Sequence, residues 1–262
     1  MIPRLTATQF LRFMSSGRTA PALCGCTNHF GDEVGDYVVK LRGALDLREA
    51  ALANELIAAK LAVHFGLHVP DPAVVAFEKP LVDLIVAVHP ERKVAIDLSV
   101  GLNFGTKHLT GVSTWPVDKA IPEERLVTAF EIFAFDALIQ NPDRRYNNPN
   151  LFTRGDGLFI YDHETAFSFL LDVLPPPDPW VVDRQRFLEG HVFYKRLKSK
   201  PIELEGFIAT LRSLSDDQLD LIFADIPGEW ENQDNKKRIA RHLTDVRDHA
   251  DEFAEAIRRI LR

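Results

Sequence analysis

The sequence predicts an α+β fold in two lobes, strand-rich over residues 1–100 and mainly helical over 101–262. Three observations carry this. Short apolar runs separated by turn residues fill the first part, and apolar residues recur at spacings of three and four through most of the second. The change of character falls at Gly101–Gly105, which places a linker near residues 98–120.

Taken in order, Thr6–Met14 reads as a short amphipathic helix that buries Phe10, Leu11 and Phe13. Ala22–Thr27 and Asp36–Arg42 read as strands around a loop, Asn28–Gly35, that carries Gly31 and Gly35. Leu47–Phe65 is a long helix with Leu52, Leu56, Ala59 and Val63 on one face; Gly66 ends it and Pro70 prevents its resumption. Ala73–Phe77, Asp83–Val88 and Lys93–Leu98 read as three further strands. Pro122-Glu123-Glu124 opens a helix, with proline in the first turn and carboxylates at the positive end of the dipole. A hairpin follows over Asn150–Tyr161, turning at Gly155-Asp156-Gly157, and Pro175–Pro179 reads as a fixed surface excursion. Ser215-Asp216-Asp217-Gln218 has the pattern of a capping box, and Ile239 to Leu261 carries one long apolar stripe.

Composition excludes several classes. With 46% hydrophobic and 26% charged residues the chain is neither low-complexity nor wholly disordered. A net charge of −7 argues against a nucleic-acid-coating protein. The apolar runs are too short to span a bilayer, and Met1–Met14 lacks the layout of a signal peptide, so a cytoplasmic protein is expected. The only two cysteines, Cys24 and Cys26, are one residue apart; they suit a reducing compartment and are read as buried small residues rather than as a soft-metal or redox pair.

The chemistry concentrates in Gln140-Asn141-Pro142-Asp143-Arg144-Arg145-Tyr146-Asn147-Asn148 and in Tyr161-Asp162-His163-Glu164. An acid opens the loop, an amide follows five residues later, and a second acid stands after the hairpin. Phosphoryl transfer needs such groups: a carboxylate to orient a hydroxyl and accept its proton, and an amide oxygen with another carboxylate to hold Mg²⁺ against nucleotide phosphates. Asp143 to Asn148 has the D-x-x-x-x-N spacing of a kinase catalytic loop, and Asp162 falls where the metal-binding acid belongs. Taken singly, these residues are also ordinary turn formers. In the first part, Lys40 sits in the apolar strand Val38–Arg42, where either edge protection or an anionic partner accounts for it. Glu55 lies near the buried side of the following helix, placed as the partner that holds a kinase lysine on the α- and β-phosphates. The segment Gly25–Gly35 offers backbone N–H groups to phosphate, without the G-x-G-x-x-G pattern. A zinc peptidase has no H-E-x-x-H to support it, and Asp162-His163-Glu164 can converge at most two side chains as a metal cluster. Tyr194–Lys200 is a basic run, read as a solvated face or as a contact for an anionic substrate.

With Val39-Lys40, Asn54-Glu55, His64-Phe65-Gly66-Leu67-His68-Val69-Pro70, Asn141-Pro142-Asp143-Arg144…Asn148 and Tyr161-Asp162-His163, the sequence resembles the HipA-like kinases. These are more distantly related to phosphoinositide 3- and 4-kinases. The resemblance spans roughly residues 20–230 and implies a bilobal protein-kinase-like fold with ATP between the lobes. It implies that Lys40 binds phosphate, Glu55 positions it, Asp143 is the catalytic base, and Asn148 and Asp162 bind Mg²⁺. The expected acceptor is a protein Ser/Thr hydroxyl. Asp162-His163-Glu164 stands in place of D-F-G, so no phenylalanine switch is implied. The sequence also starts almost directly at the kinase core, without the extra N-terminal subdomain of the HipA toxins, so neither a toxin role nor an antitoxin partner is implied. The alternatives are a nucleotide-binding pseudokinase or partner-binding module, and a helical interaction protein.

Overall fold

The computed structural model describes residues 1–14, 19–174 and 178–262, which fall into two units. One comprises Met1–Leu56, Pro70–Thr110 and Asp225–Glu231; the other comprises Ile57–Val69, Gly111–Ala224 and Asn232–Arg262. As expected, the N-terminal region is rich in strands and the C-terminal part is helical. Pro175–Pro177, within the anticipated surface excursion, lie outside the described residues. Among the described residues no helix is long and apolar enough to cross a membrane.

The first unit is built on β1 (Arg4–Phe13), β2 (Ala22–Thr27) and β3 (Glu33–Lys40), followed by α1 (Glu49–His64), β4 (Pro72–Phe77), α2 (Lys79–Val88), α3 (Lys93–Asp97) and β5 (Gly101–Lys107). The strands close into a barrel in the order β1-β2-β3-β5-β4, with β1 and β4 parallel and every other pair antiparallel. Closure leaves no sheet edge to protect. Leu5, Ala7, Cys24, Cys26, Tyr37, Val39, Val75 and Phe77 belong to its core, against which Val82, Ile85 and Ile96 pack.

Three sequence expectations are corrected here. Thr6–Met14 is strand β1, not helix. The β1–β2 register shifts between Phe10 and Arg12, so Phe10 stands opposite Cys24 and Phe13 opposite Ala22. Positions 22 and 24 share a face of β2, and the irregularity therefore brings Phe10 and Phe13 together with ring centroids 4.9 Å apart. Their spacing of three is a bulge signal that mimics helical periodicity. Asp83–Val88 and Lys93–Leu98, expected as strands, belong to α2 and α3. Pro80 occupies the first turn of α2, and Val82 and Ile85 bury one face while Leu84 and Val88 stay exposed. Finally, the expected linker begins with β5, a strand between β3 and β4 in the barrel. Gly105 is what the packing demands there, since a Cβ would stand 2.7 Å from Val75 Cγ2.

The second unit holds β6 (Ser113–Thr114), α4 (Leu126–Leu138), the hairpin β7 (Leu151–Arg154) and β8 (Gly157–Ile160), and then α5 (Tyr194–Leu197), α6 (Glu205–Ser213), α7 (Asp216–Phe223), α8 (Gln233–Asp248) and α9 (Ala250–Leu261). Buried residues surround α4 on every side from Ile132 to Leu138, so it is a core helix rather than an amphipathic one. Ser215 and Gln218 form the anticipated capping box on α7. The apolar stripe from Ile239 to Leu261 is buried as read, but it is shared by two helices that break at His249, whose ring stacks on Trp180 at 3.5 Å.

His242 of α8 is buried, bonds through Nε2 to the Leu138 carbonyl at 2.7 Å, and stacks on Phe169 at 4.3 Å. It caps the C-terminal end of α4. Burial drives its pKa down to about 4, against the opposing pull of that hydrogen bond and of Asp245. The unfolded chain takes up the proton near the ordinary value of 6.5, whereas the folded chain resists until about 4. Stability therefore falls as pH drops through that window, by on the order of 3 kcal/mol when complete. Denaturant midpoints at pH 7 and pH 4.5 will show this loss, and His242→Gln, which keeps a donor, will show less of it. The thiols give a second test. Burial raises both, Cys26 to about 12, so neither will react with iodoacetamide at pH 8 until the barrel unfolds.

Candidate active site

In the first unit, alternation along β3 turns Val39 into the barrel and leaves Lys40 on the opposite side. Lys40 Nζ forms an ion pair with Glu55 of α1; their side chains are 12% and 2% exposed. A lysine this enclosed needs a counter-ion, and the anionic partner is favoured over edge protection because a closed barrel has no edge there.

The glycine segment is part strand and part turn. Gly25 lies within β2, opposite Gln9 and Asp36, and the connection itself is the short turn Asn28–Asp32. Asn28 Oδ1 accepts the Phe30 and Asp32 amides at 2.9 and 3.0 Å. The Gly31 amide donates to the Asn28 carbonyl and the Asn28 amide to the Asp32 carbonyl. The turn thus spends these amides on itself, which removes the observation that suggested a phosphate cradle.

In the second unit, α4 ends at Leu138 and the chain enters the loop that carries Asp143. The carboxylate of Asp143 is held from three directions. Asn148 Nδ2 donates to Oδ2 at 2.8 Å, Asn150 Nδ2 to the same oxygen at 3.2 Å, and Arg145 Nη2 to Oδ1 at 2.7 Å. A carboxylate offers about four lone-pair sites, so one remains for a hydroxyl. Because the Asn148 amide nitrogen faces Asp143, its Oδ1 is turned to other use. The D-x-x-x-x-N spacing therefore brings its two ends into direct contact.

The hairpin returns the chain to this loop. Leu151 pairs with Ile160, and the Tyr161 amide donates to the Asn150 carbonyl at 3.2 Å. Asp162 follows in a left-handed conformation, φ +63°, which Asp tolerates better than most residues. Its carboxylate and that of Glu164 lie within 4.8 Å of each other. The side-chain oxygens of Asn148 and Asp162 are hard donors of the kind Mg²⁺ selects, so this donor set fits the metal that the motif implies.

Beneath the loop lies a buried polar cluster that sequence reasoning missed. Asp136 of α4 has no exposed side-chain surface and accepts from Arg144 Nε at 2.6 Å, Asn141 Nδ2 at 2.9 Å and His191 Nε2 at 3.0 Å. Burial alone would raise its pKa, but the Arg144 charge, together with hydrogen bonds from His191 and Arg144, holds it well below the usual carboxylate range. His191 Nδ1 accepts the Phe193 amide at 3.1 Å, so its ring is neutral with the proton on Nε2. Burial pushes its pKa down, consistent with that state. An acid inside the apolar run Val127–Leu138 was the available signal. The basic run Tyr194–Lys200 buries Leu197 and bonds Arg196 to the Lys119 carbonyl at 2.7 Å, leaving Lys195, Lys198 and Lys200 exposed.

A family model described as HipA-like kinase matches residues 7–256. Among solved structures, the chain is similar to the proinflammatory kinase CtkA of Helicobacter pylori, with a TM-score of 0.51 and 12% identity over 96% of each chain. That likeness is one of fold. No curated protein matches the chain.

Removing one partner of the buried pair leaves an uncompensated charge, so Arg144→Met will cost about 3–5 kcal/mol. Urea unfolding at pH 7 measures the loss, and a cost under about 1 kcal/mol would place the pair in a surface-like environment.

Proposed function

The chain belongs to the HipA-like kinase family, and on that premise we propose an ATP- and Mg²⁺-dependent phosphotransferase acting on a Ser or Thr hydroxyl of a protein. The observation that carries the reading is the Asp143 carboxylate, fixed by Asn148 and Asn150 with one acceptor site left over. In this reading Asp143 orients the acceptor hydroxyl and takes its proton as the oxygen attacks the γ-phosphorus, while the bond from that phosphorus to the bridging β-phosphate oxygen breaks and ADP leaves. Lys40, held by Glu55, neutralises charge on the α- and β-phosphates. Asn148 and Asp162 supply oxygen ligands to Mg²⁺, which when bound neutralises developing phosphate charge. Arg145, exposed and paired with Asp143, is the group that yields when the acceptor arrives. Two free, buried cysteines support a reducing compartment such as the cytoplasm.

A second reading, a nucleotide-binding pseudokinase or partner-binding module, draws on the Asn28–Asp32 turn, whose amides are engaged internally. The two readings part on turnover. With radiolabelled ATP, Mg²⁺ and a protein-acceptor panel, the wild type will transfer label to Ser or Thr. Asp143→Asn and Asp162→Ala will each lower the rate on the order of 10²–10³-fold. Near-normal transfer by either variant removes that residue from its role. Nucleotide binding without any consumption of ATP selects the pseudokinase.

A further inference from the structure

Arg144 donates everything it has. A guanidinium carries five N–H groups in a planar fork. In this fold Nε and one Nη2 hydrogen go to the two oxygens of Asp136, and Nη1 goes to the carbonyls of Asn150 and Tyr161. The second Nη2 hydrogen goes to His163 Nε2 at 2.8 Å. Arginine only donates, so that nitrogen of His163 is an acceptor. No donor is left for a substrate or a phosphate, and the side chain is 0% exposed.

The acceptors are informative by position. Asn150 is the residue whose side chain holds Asp143. Tyr161 and His163 flank Asp162 on either side, and Asp162 sits in the left-handed conformation that its neighbours must impose. One rigid plane thus touches the support of the base and both neighbours of the second acid. Asp136 makes this possible by neutralising the charge where water cannot, and its own acceptor sites are taken up by Arg144, Asn141 and His191.

We propose that Arg144 is the positioning residue that sets Asp143 and Asp162 in register, with Asp136 as its buried counter-ion. The proposal rests on the phosphotransferase reading for its kinetic consequence, though not for its geometry. Lysine at this position keeps the charge but is a point donor without the fork, so it cannot hold several directions at once. A misplacement of about 1 Å costs on the order of 10²-fold in rate.

The test compares the wild type with Arg144→Lys and with the double variant Asp136→Asn/Arg144→Gln, which removes both charges and guards against a variant that fails to fold. Rates are taken per folded molecule. Both variants are expected to lose on the order of 10²-fold in kcat while KM for ATP stays within about threefold. Unchanged kcat per folded molecule, with only a lowered melting temperature, reduces Arg144 to a stability element and overturns the proposal. Hydrogen exchange at the Tyr161 amide, which donates to Asn150, is read on the same samples. Its protection is expected to fall at least about tenfold in Arg144→Lys. If the wild type transfers no phosphoryl group, the phosphotransferase reading fails while this exchange measurement still decides the positioning claim. Unchanged Tyr161 protection in both variants overturns it.

Discussion

A carboxylate without solvent exposure, inside a helix that is otherwise apolar, is tolerable only if the chain around it is built to neutralise it. Asp136 sets that condition for the second unit. Arg144 must be drawn under the loop to meet it, Asn141 must turn its amide inward, and His191 must arrive as the neutral Nε2–H tautomer. Burying an ion pair rarely adds net stability over packed apolar side chains, whereas breaking one is costly. What the pair supplies here is definition: a loop of polar residues acquires one conformation, and Asp143 inherits it.

The first unit solves a smaller version of the same problem. The closed barrel leaves Lys40 away from its apolar interior, and Glu55 on α1 supplies the compensating charge. In both units an acid on a buried helix disciplines a cation. The difference lies in what remains. Arg144 is exhausted by its contacts in a rigid planar fork, whereas Lys40 is a compact ammonium on a flexible stem. That contrast fits a structural role for the arginine.

Much of this was legible in the sequence because the strongest local signals agree with the tertiary fold. Gly66 stops α1, with φ +72°, and the Leu67 amide reaches back to the Ala62 carbonyl. The hairpin turn at Gly155-Asp156-Gly157 and the capping box at Ser215 form where their residues specify. The misreadings have a common origin in tertiary context. A bulge in β1 puts Phe10 and Phe13 on one face with helical spacing. The apolar run Leu84–Val88 fits strand and helix alike, and only its docking through Val82 and Ile85 decides. β5 was hidden because its glycines read as linker, although Gly105 is required by the close approach of Val75. Around the loop, the D-x-x-x-x-N spacing announces the contact between Asp143 and Asn148, whereas nothing local announces that Asp136 meets Arg144 and His191, because those contacts join distant segments. Gly25 lies in β2 as its apolar surroundings indicate, and the turn beside it uses its own amides.

The proposed binding of MgATP through the oxygen donors at the end of the hairpin is tested most directly by thermal unfolding with ATP, with and without Mg²⁺. Nucleotide at about 100 times its dissociation constant stabilises by roughly 2.7 kcal/mol. For a chain of 262 residues that corresponds to a rise on the order of 5 °C. The account predicts that rise in the wild type with Mg²⁺ present, its loss on chelation, and its loss in Asp162→Ala. No shift at millimolar ATP with Mg²⁺, or an undiminished shift in the variant, would contradict it.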